Sequence, residues 1–415
     1  MAEDSHFIER HLRRAIDEAL ADTPVVCLLG SRQCGKSTLV RTITPERAYL
    51  DLDNEELAQT ARADPGGFVR GLPERVTLDE VQRVPEILRA IKVAVDENRI
   101  PGRFILTGSA NLLLLPRASE SLAGRMEILQ LHPLTEAEKQ GSPGAFLEIF
   151  LGGGLAPEIR PSSSHSPVDL PARLVAGGYP ETLRRAPRRA GQWRRNYLRA
   201  IIERDVPDIA RVRDATRLQT VLAKIARQSG SLLNRSAFGR DLGLDRDTVN
   251  HYLDILERLF LVRLLPAWHR NRGKRLVKSP KIHFLDTGLA ATLMDLSPED
   301  WNTRRQDYGC LLESFVVQQL IALSGWSDPA LEFYHYRDRD QVEVDCVITK
   351  ASAVWGVEVK TSRSVGSGDL KGLHRLAEQA GSDFQGGIVF YAGDSILPLG
   401  DPRFLAVPLS RLWEL

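Results

Sequence analysis

The octapeptide Gly30-Ser31-Arg32-Gln33-Cys34-Gly35-Lys36-Ser37 constrains this chain more than any other feature. It follows the apolar run Val25–Leu29, which reads as a buried strand, and leads into Thr38-Leu39-Val40-Arg41, which opens a helix. The pattern is G-x-x-x-x-G-K-[ST], and strand before and helix after are the context it requires. The glycines let the backbone curl so that successive N–H groups face phosphate oxygens, and the helix points its positive end at the same anion. Gly30, Ser31, Arg32, Gln33, Cys34, Gly35, Lys36, Ser37 and Thr38 are therefore the candidate phosphate cradle. Lys36 suits the β- and γ-phosphates of ATP, and the Ser37 hydroxyl suits an accompanying Mg²⁺.

The neighbouring elements fit a parallel α/β sheet. Strand-like runs at 75–79 and 103–107 alternate with helical patterns at about 7–22, 37–44 and 85–98. Asp79, at a strand end, suits the magnesium shell, and Glu80 suits orientation or deprotonation of the attacking water. Thr107, Ser109 or Asn111 would stand at the carboxyl edge of the sheet, where open α/β sheets bind ligands, as γ-phosphate sensors or as an ordinary polar turn. Arg125 reads either as an arginine finger for a neighbouring nucleotide or domain, in cis or in trans, or as a surface ion pair.

Composition excludes several alternatives. In 415 residues, 55 Lys+Arg stand against 54 Asp+Glu, so a surface basic everywhere is ruled out while a local basic face is not. Four scattered cysteines give neither a disulfide framework nor a zinc site. No apolar stretch is long enough to span a bilayer, and the charged first residues lack a secretory signal, so a cytoplasmic protein with no membrane partner is expected.

The reading divides the chain into five parts. Residues 1–140 form the nucleotide domain, 141–176 a flexible Gly/Pro/Ser-rich connection, and 177–212 a helical linker or lid. A winged-helix-like domain covers 213–290, and a second α/β domain covers 291–415. In the middle part a short helix, a Gly-containing turn and a helix capped by Asp245 have the shape of a helix-turn-helix, with Val249, Tyr252, Leu253, Leu256 and Leu259 as the buried stripe. The cluster His269, Arg270, Arg272, Lys274, Arg275, Lys278 and Lys281 is expected at the tip of a wing. The alternative is a lid on the nucleotide. Arg184, Arg185, Arg188, Arg189, Arg194, Arg195 and Arg199 form a second basic footprint.

Near the C-terminal end, Glu343-Val344-Asp345 and Glu358-Val359-Lys360 lie on consecutive strand-like runs. A period of two puts Glu343 with Asp345, and Glu358 with Lys360, on one face each. On antiparallel neighbours, Asp345 and Glu358 would converge on one divalent cation, with Lys360 beside them to orient or activate water.

These residues carry two resemblances. GSRQCGKSTLVR, TLDEVQRVP, FILTGSANLLLL and SLAGR resemble, in that order, a large group of prokaryotic AAA-type ATPases. That group is related to archaeal-type and STAND-like P-loop ATPases and usually carries a C-terminal domain of unknown function. GGYP at 177–180 and LLESFVVQQL extend the resemblance over nearly the whole chain, with a longer insertion around 150–170. The resemblance implies ATP binding and hydrolysis at Gly30–Ser37 and Asp79–Glu80, and no particular biological role. The spacing D-x(12)-E-x-K also resembles the restriction-endonuclease-like core, and Glu313 resembles the additional acid contributed there by a preceding helix.

The expected fold class is α/β: a P-loop NTPase parallel sheet, a helical, winged-helix middle domain and a second, nuclease-like α/β domain. Three functions follow as expectations. The first is a DNA-associated ATPase whose nucleotide state controls a nuclease-like domain. The second is a nucleotide-gated switch that does not cut, and the third an ATP-dependent transcription regulator. ATP and Mg²⁺ are the expected cofactors, with DNA and further copies of the chain as the expected partners.

Overall fold

The computed structural model describes residues 8–109, 122–160, 169–206, 215–271 and 279–415. Asn111, Arg272, Lys274, Arg275 and Lys278 lie outside the described residues. The chain divides into two units, Met1–Leu134 with Leu256–Leu261, and Thr135–Ile255 with Val262–Leu415.

The first unit holds five parallel strands: β1 (Val25–Leu29), β2 (Ala48–Asp51), β3 (Val76–Asp79), β4 (Phe104–Gly108) and β5 (Met126–Gln130), in the order β2-β3-β4-β1-β5. The strands β1, β3 and β4 are buried along their whole length, which is why they read as continuous runs. β2 and β5 escaped the sequence reading. Ala48–Asp51 and Met126–Gln130 are edge strands, largely half-exposed, and only pairing with β3 and β1 makes them strands. The N-terminal helix is shorter than its pattern, Arg13–Asp22, and its buried Ile16 and Ala19 pack with Val26, Leu28, Leu39 and Ile105. Register decides where the chemistry goes. Leu29 stands opposite Gly108 and Asp51 opposite Asp79, so Gly30, Glu80 and Ser109 all leave the sheet at its carboxyl edge.

The second unit contains two sheets. The smaller consists of β6 (Ser231–Leu232), β7 (Val262–Leu265) and β8 (Lys281–Phe284), antiparallel in the order β6-β8-β7. The helices Ala215–Arg227, Arg235–Leu242 and Arg246–Arg258 accompany it in sequence. Asp245 accepts the Thr248 N–H at 2.8 Å and so caps the last of them. Its expected stripe, Val249, Tyr252, Leu253, Leu256 and Leu259, is buried, with Leu259 just past the end of the helix.

The larger sheet runs β13-β14-β12-β11-β10-β9. Here β9 (Glu332–Arg337), β10 (Glu343–Lys350) and β11 (Ala353–Val359) form an antiparallel meander. The helix Lys371–Ala380 then crosses to β12 (Phe384–Tyr391), parallel to β11. β13 (Leu397–Leu399) and β14 (Asp401–Pro408) complete the edge. The helix Arg305–Ser327 packs on β10 and β11 and is buried nearly all round, so it shows no amphipathic stripe.

The segment 141–176 corrects an expectation. Its described part is not an irregular connection: it contains the helices Phe146–Leu151 and Leu170–Ala176. Phe146 packs against Phe390 with ring centroids 5.2 Å apart, and Glu158 bridges Ile396. Burial of a few aromatic and aliphatic side chains outweighs the Gly/Pro-rich composition. The GGYP turn also finds its reason. Buried Asp286 accepts the Gly178 N–H at 2.7 Å and the Leu289 N–H at 2.8 Å, and Gly177, at φ +66°, would carry any Cβ to 2.6 Å from Asp286 Oδ1.

A buried polar cluster joins β8 to the helix Arg305–Ser327. Ser314 Oγ lies 2.8 Å from Ser229 Oγ and 2.9 Å from His283 Nδ1, and Ser229 Oγ accepts the Phe284 N–H at 2.9 Å. Burial, followed by the nearby Lys281 charge, holds the fully buried His283 well below the ordinary histidine range, so its ring is neutral in the fold. The unfolded chain protonates this histidine below about pH 6.5 and the folded chain does not. Stability carried by this group is therefore present above about pH 6.5 and declines as pH falls below it, with a limiting slope of about 1.4 kcal/mol per pH unit. Denaturant titrations between about pH 7.5 and pH 5 should show this limb in the wild type and a flatter one in His283→Asn. Equal slopes would exclude His283 as its source.

Candidate functional site

At the carboxyl edge of the first sheet, Gly35 takes φ +105°, the left-handed turn that starts the helix Lys36–Ile43. Lys36 is only 4% exposed and donates to the carbonyls of Gly30 at 2.9 Å and Ser31 at 3.0 Å, which draws its ammonium into the loop. The buried Ser31 hydroxyl has no hydrogen-bond partner among the described residues, so the loop has an unspent donor where an anion would sit. Cys34 is buried and Thr38 exposed. Arg10, invisible to the sequence reading, supports the loop from below: it donates to Cys34 O at 2.8 Å and to His132 O at 2.6 Å. Arg32 lies 3.9 Å from Asp53, which Arg83 also holds, at 2.8 Å.

Asp79 is buried, and both of its oxygens accept hydroxyl protons, from Thr107 and from Tyr49. Tyr49 also hydrogen-bonds with Ser37; burial first, then Asp79, pushes its phenol up to about 12. The Tyr49 oxygen is thus a common neighbour of Ser37 and Asp79, the two groups expected to share Mg²⁺. Hydroxyl and carboxylate are a donor set that fits that ion. Glu80 sits in the left-handed region at φ +57°, with its Oε2 accepting from Ser109 Oγ at 2.9 Å and from Gln82. Thr107 and Ser109 therefore contact the two candidate acids directly. Arg125 is elsewhere. Its carbonyl accepts the Val25 N–H at 3.2 Å and its guanidinium pairs with Asp96. That is the amino edge of the sheet, about 15 Å of strand away from the phosphate loop, so Arg125 does not reach the cradle of its own sheet.

In the second unit, Asp345, Glu358 and Lys360 lie on or directly beside the neighbouring strands β10 and β11. Val359 N–H donates to Asp345 Oδ2 at 3.0 Å, which places Asp345 beside the end of β11. Lys360 Nζ donates to Glu358 Oε1 at 2.8 Å and lies 3.8 Å from Asp369. Glu358 is 8% exposed, and its Oε2 has no hydrogen-bond partner among the described residues. Burial, then the Asp345 charge, raises Glu358 to about 8; the same two causes raise Glu313 well above the ordinary carboxyl range.

Lys281 is the correction. It is not at an exposed wing tip but in β8, 2% exposed, with Nζ 2.8 Å from Glu313, 3.2 Å from Asp345 and 3.7 Å from Glu343. Burial works against its charge, but Glu313 and Asp345 more than offset this, and its pKa lies above that of an ordinary lysine. Among the described residues, no three carboxylate, imidazole or thiol side chains are gathered so as to hold a metal ion. The expected basic footprint also loses a member: Arg194 is buried and donates to Ala176 O at 3.0 Å and Thr292 Oγ1 at 2.7 Å. Arg188, Arg195 and Arg199 remain exposed along one face of the helix Pro187–Ala200.

Residues 22–139 match an AAA domain. The chain is 32% identical over 410 residues to the uncharacterized proteins Rv2008c of Mycobacterium tuberculosis and Mb2031c of Mycobacterium bovis, covering 97% of this chain and 82% of each relative. The chain belongs to this AAA-type ATPase family. Beyond the AAA domain, residues 168–300 and 308–412 match two domains of unknown function, DUF8612 and DUF4143. Among solved structures, the Walker-type ATPase PABY2304 of Pyrococcus abyssi is similar at 19% identity with a TM-score of 0.43, over 70% of this chain and 97% of that one. A single-substitution variant of RuvB from Thermotoga maritima is similar at 19% identity with a TM-score of 0.31, over 63% and 91%. No described helix of this family member is long and apolar enough to cross a membrane.

Proposed function

We propose that this protein binds and hydrolyses ATP and that its nucleotide state acts on a DNA-associated second unit of nuclease-like architecture. The observation that carries the reading is the convergence of Lys36, Ser37, Asp79, Glu80 and Ser109 at one sheet edge. Lys36 meets the β- and γ-phosphates, and the N–H groups of the loop and the Ser31 hydroxyl complete the anion's hydrogen bonds. Ser37 and Asp79 would hold Mg²⁺, which when bound offsets phosphate charge. Glu80, steered by Ser109 and Gln82, orients the attacking water.

The middle of the second unit, where three helices accompany a three-stranded sheet in sequence, supports a winged helix. The helix-β-β-β-helix-β order downstream, bringing Glu313, Asp345, Glu358 and Lys360 together, supports a nuclease-like module. Lys281 among those acids favours the second reading, a nucleotide-gated switch that does not cut.

The exposed stripe Arg188, Arg195 and Arg199 suits a phosphate backbone. ATP turnover and binding of a labelled duplex, measured together across a salt series, test the reading. DNA affinity should fall steeply with salt, and Arg188→Gln/Arg195→Gln/Arg199→Gln should reduce the log–log slope by up to about three units. An absence of salt-sensitive binding in every nucleotide state would remove DNA as the partner. An absence of wild-type turnover would remove the ATPase assignment.

A further inference from the structure

The nuclease-like reading implies a divalent cation between the acids of the second unit, and the residues as arranged do not fit one. The Lys281 ammonium stands within 3.2 Å of both Glu313 and Asp345 and 3.7 Å from Glu343. A divalent ion bound by the same oxygens needs them at about 2.0–2.6 Å, in the space this nitrogen fills. Two such cations side by side would also repel strongly in a buried site. We propose that Lys281 is the resident cation of this cluster and excludes a divalent metal, so that removing this one side chain opens Glu313 and Asp345, with Glu358 near them, to a divalent cation. The inference rests on the nuclease-like reading only for the choice of these acids.

Two independent features support it. Lys281 does not come from the sheet that carries Asp345 and Glu358. It is the first residue of β8, in the three-stranded sheet, so Lys281 comes from a different sheet than Asp345 and Glu358, while Glu313 comes from the helix Arg305–Ser327. Glu358 also keeps an oxygen with no hydrogen-bond partner among the described residues, in a residue only 8% exposed. A buried carboxylate oxygen left unspent is what an unfilled coordination position leaves behind. Lys281 satisfies Glu313 and Asp345 at short range, while the ion pair of the third acid, Glu358, is with Lys360.

The test uses the full chain without nucleotide and Mn²⁺ as the probe, with binding read by electron paramagnetic resonance and calorimetry. The wild type should show no Mn²⁺ binding that depends on Asp345. Lys281→Met should gain a site at least about tenfold tighter than anything in the wild type, and adding Asp345→Asn should abolish it. If Lys281→Met does not fold, Lys281→Met/Glu313→Gln removes an uncompensated acid with the lysine and carries the same comparison through Asp345 and Glu358. A wild type that binds Mn²⁺ through Asp345 as tightly as the variant would overturn the inference. So would a folded variant that gains no Asp345-dependent site. DNA nicking is scored separately: Mn²⁺ uptake by the variant without nicking upholds the inference and defeats the nuclease reading. Asp345-dependent nicking by the wild type does the reverse.

Discussion

Lys36→Ala will lower ATP turnover by about a hundred- to a thousand-fold, the scale on which one preorganised donor to transition-state charge is worth. The position makes the variant clean. Lys36 opens the helix Lys36–Ile43, where alanine is the best helix former, and among the described residues its side chain bonds the carbonyls of Gly30 and Ser31, so the loss falls on the anion site. The nucleotide-dependent rise in melting temperature should vanish with it, because a ligand that binds only the folded state stabilises by mass action. Glu80→Gln is the informative comparison: it keeps the phosphate contacts, so that thermal shift should survive while turnover is lost. Unchanged turnover in Lys36→Ala would take the loop out of the chemistry.

Lys281→Met will destabilise the second unit by about 3–5 kcal/mol, the cost of removing one partner from a buried ion pair. Methionine matches the length of the lysine stem, so the volume change is small and the effect is electrostatic. Glu313 and Asp345 are left facing each other without the ammonium that lies 2.8 and 3.2 Å away. Adding Glu313→Gln should recover part of the loss, with a coupling energy of about 1–3 kcal/mol in a double-mutant cycle. Chemical denaturation with a second-unit probe such as the buried Trp268 measures it. Additive single effects would mean that the two side chains do not share the interaction the geometry shows.

What could be read from the residues in order followed from locality. The phosphate loop was legible because its conformation depends on its own glycines and on the strand and helix that flank it. Asp79 and Glu80 were legible because a continuous apolar run ends in them. The gathering of Asp345, Glu358 and Lys360 was legible because strand periodicity and a short connection leave few arrangements. The helices at 146–151 and 170–176 were not, because composition speaks for an unpacked chain and only burial against distant partners overrides it. The edge strands β2 and β5 were hidden for the matching reason: half-exposed strands carry no apolar run.

The sequence alone thus determined that this is a nucleotide-binding α/β protein, and which residues stand at the carboxyl edge of its first sheet. Only the tertiary structure decided what those residues meet. Tyr49 bridges Ser37 and Asp79, Arg10 holds the loop at Cys34, and Arg125 lies at the opposite sheet edge. Above all, Lys281 is 64 residues from Asp345 along the chain and 3.2 Å from it in the fold. A lysine in an apolar strand signals a buried charge, but the acids that make such burial tolerable come from other elements. Coulomb attraction depends on distance in space, which no local pattern encodes.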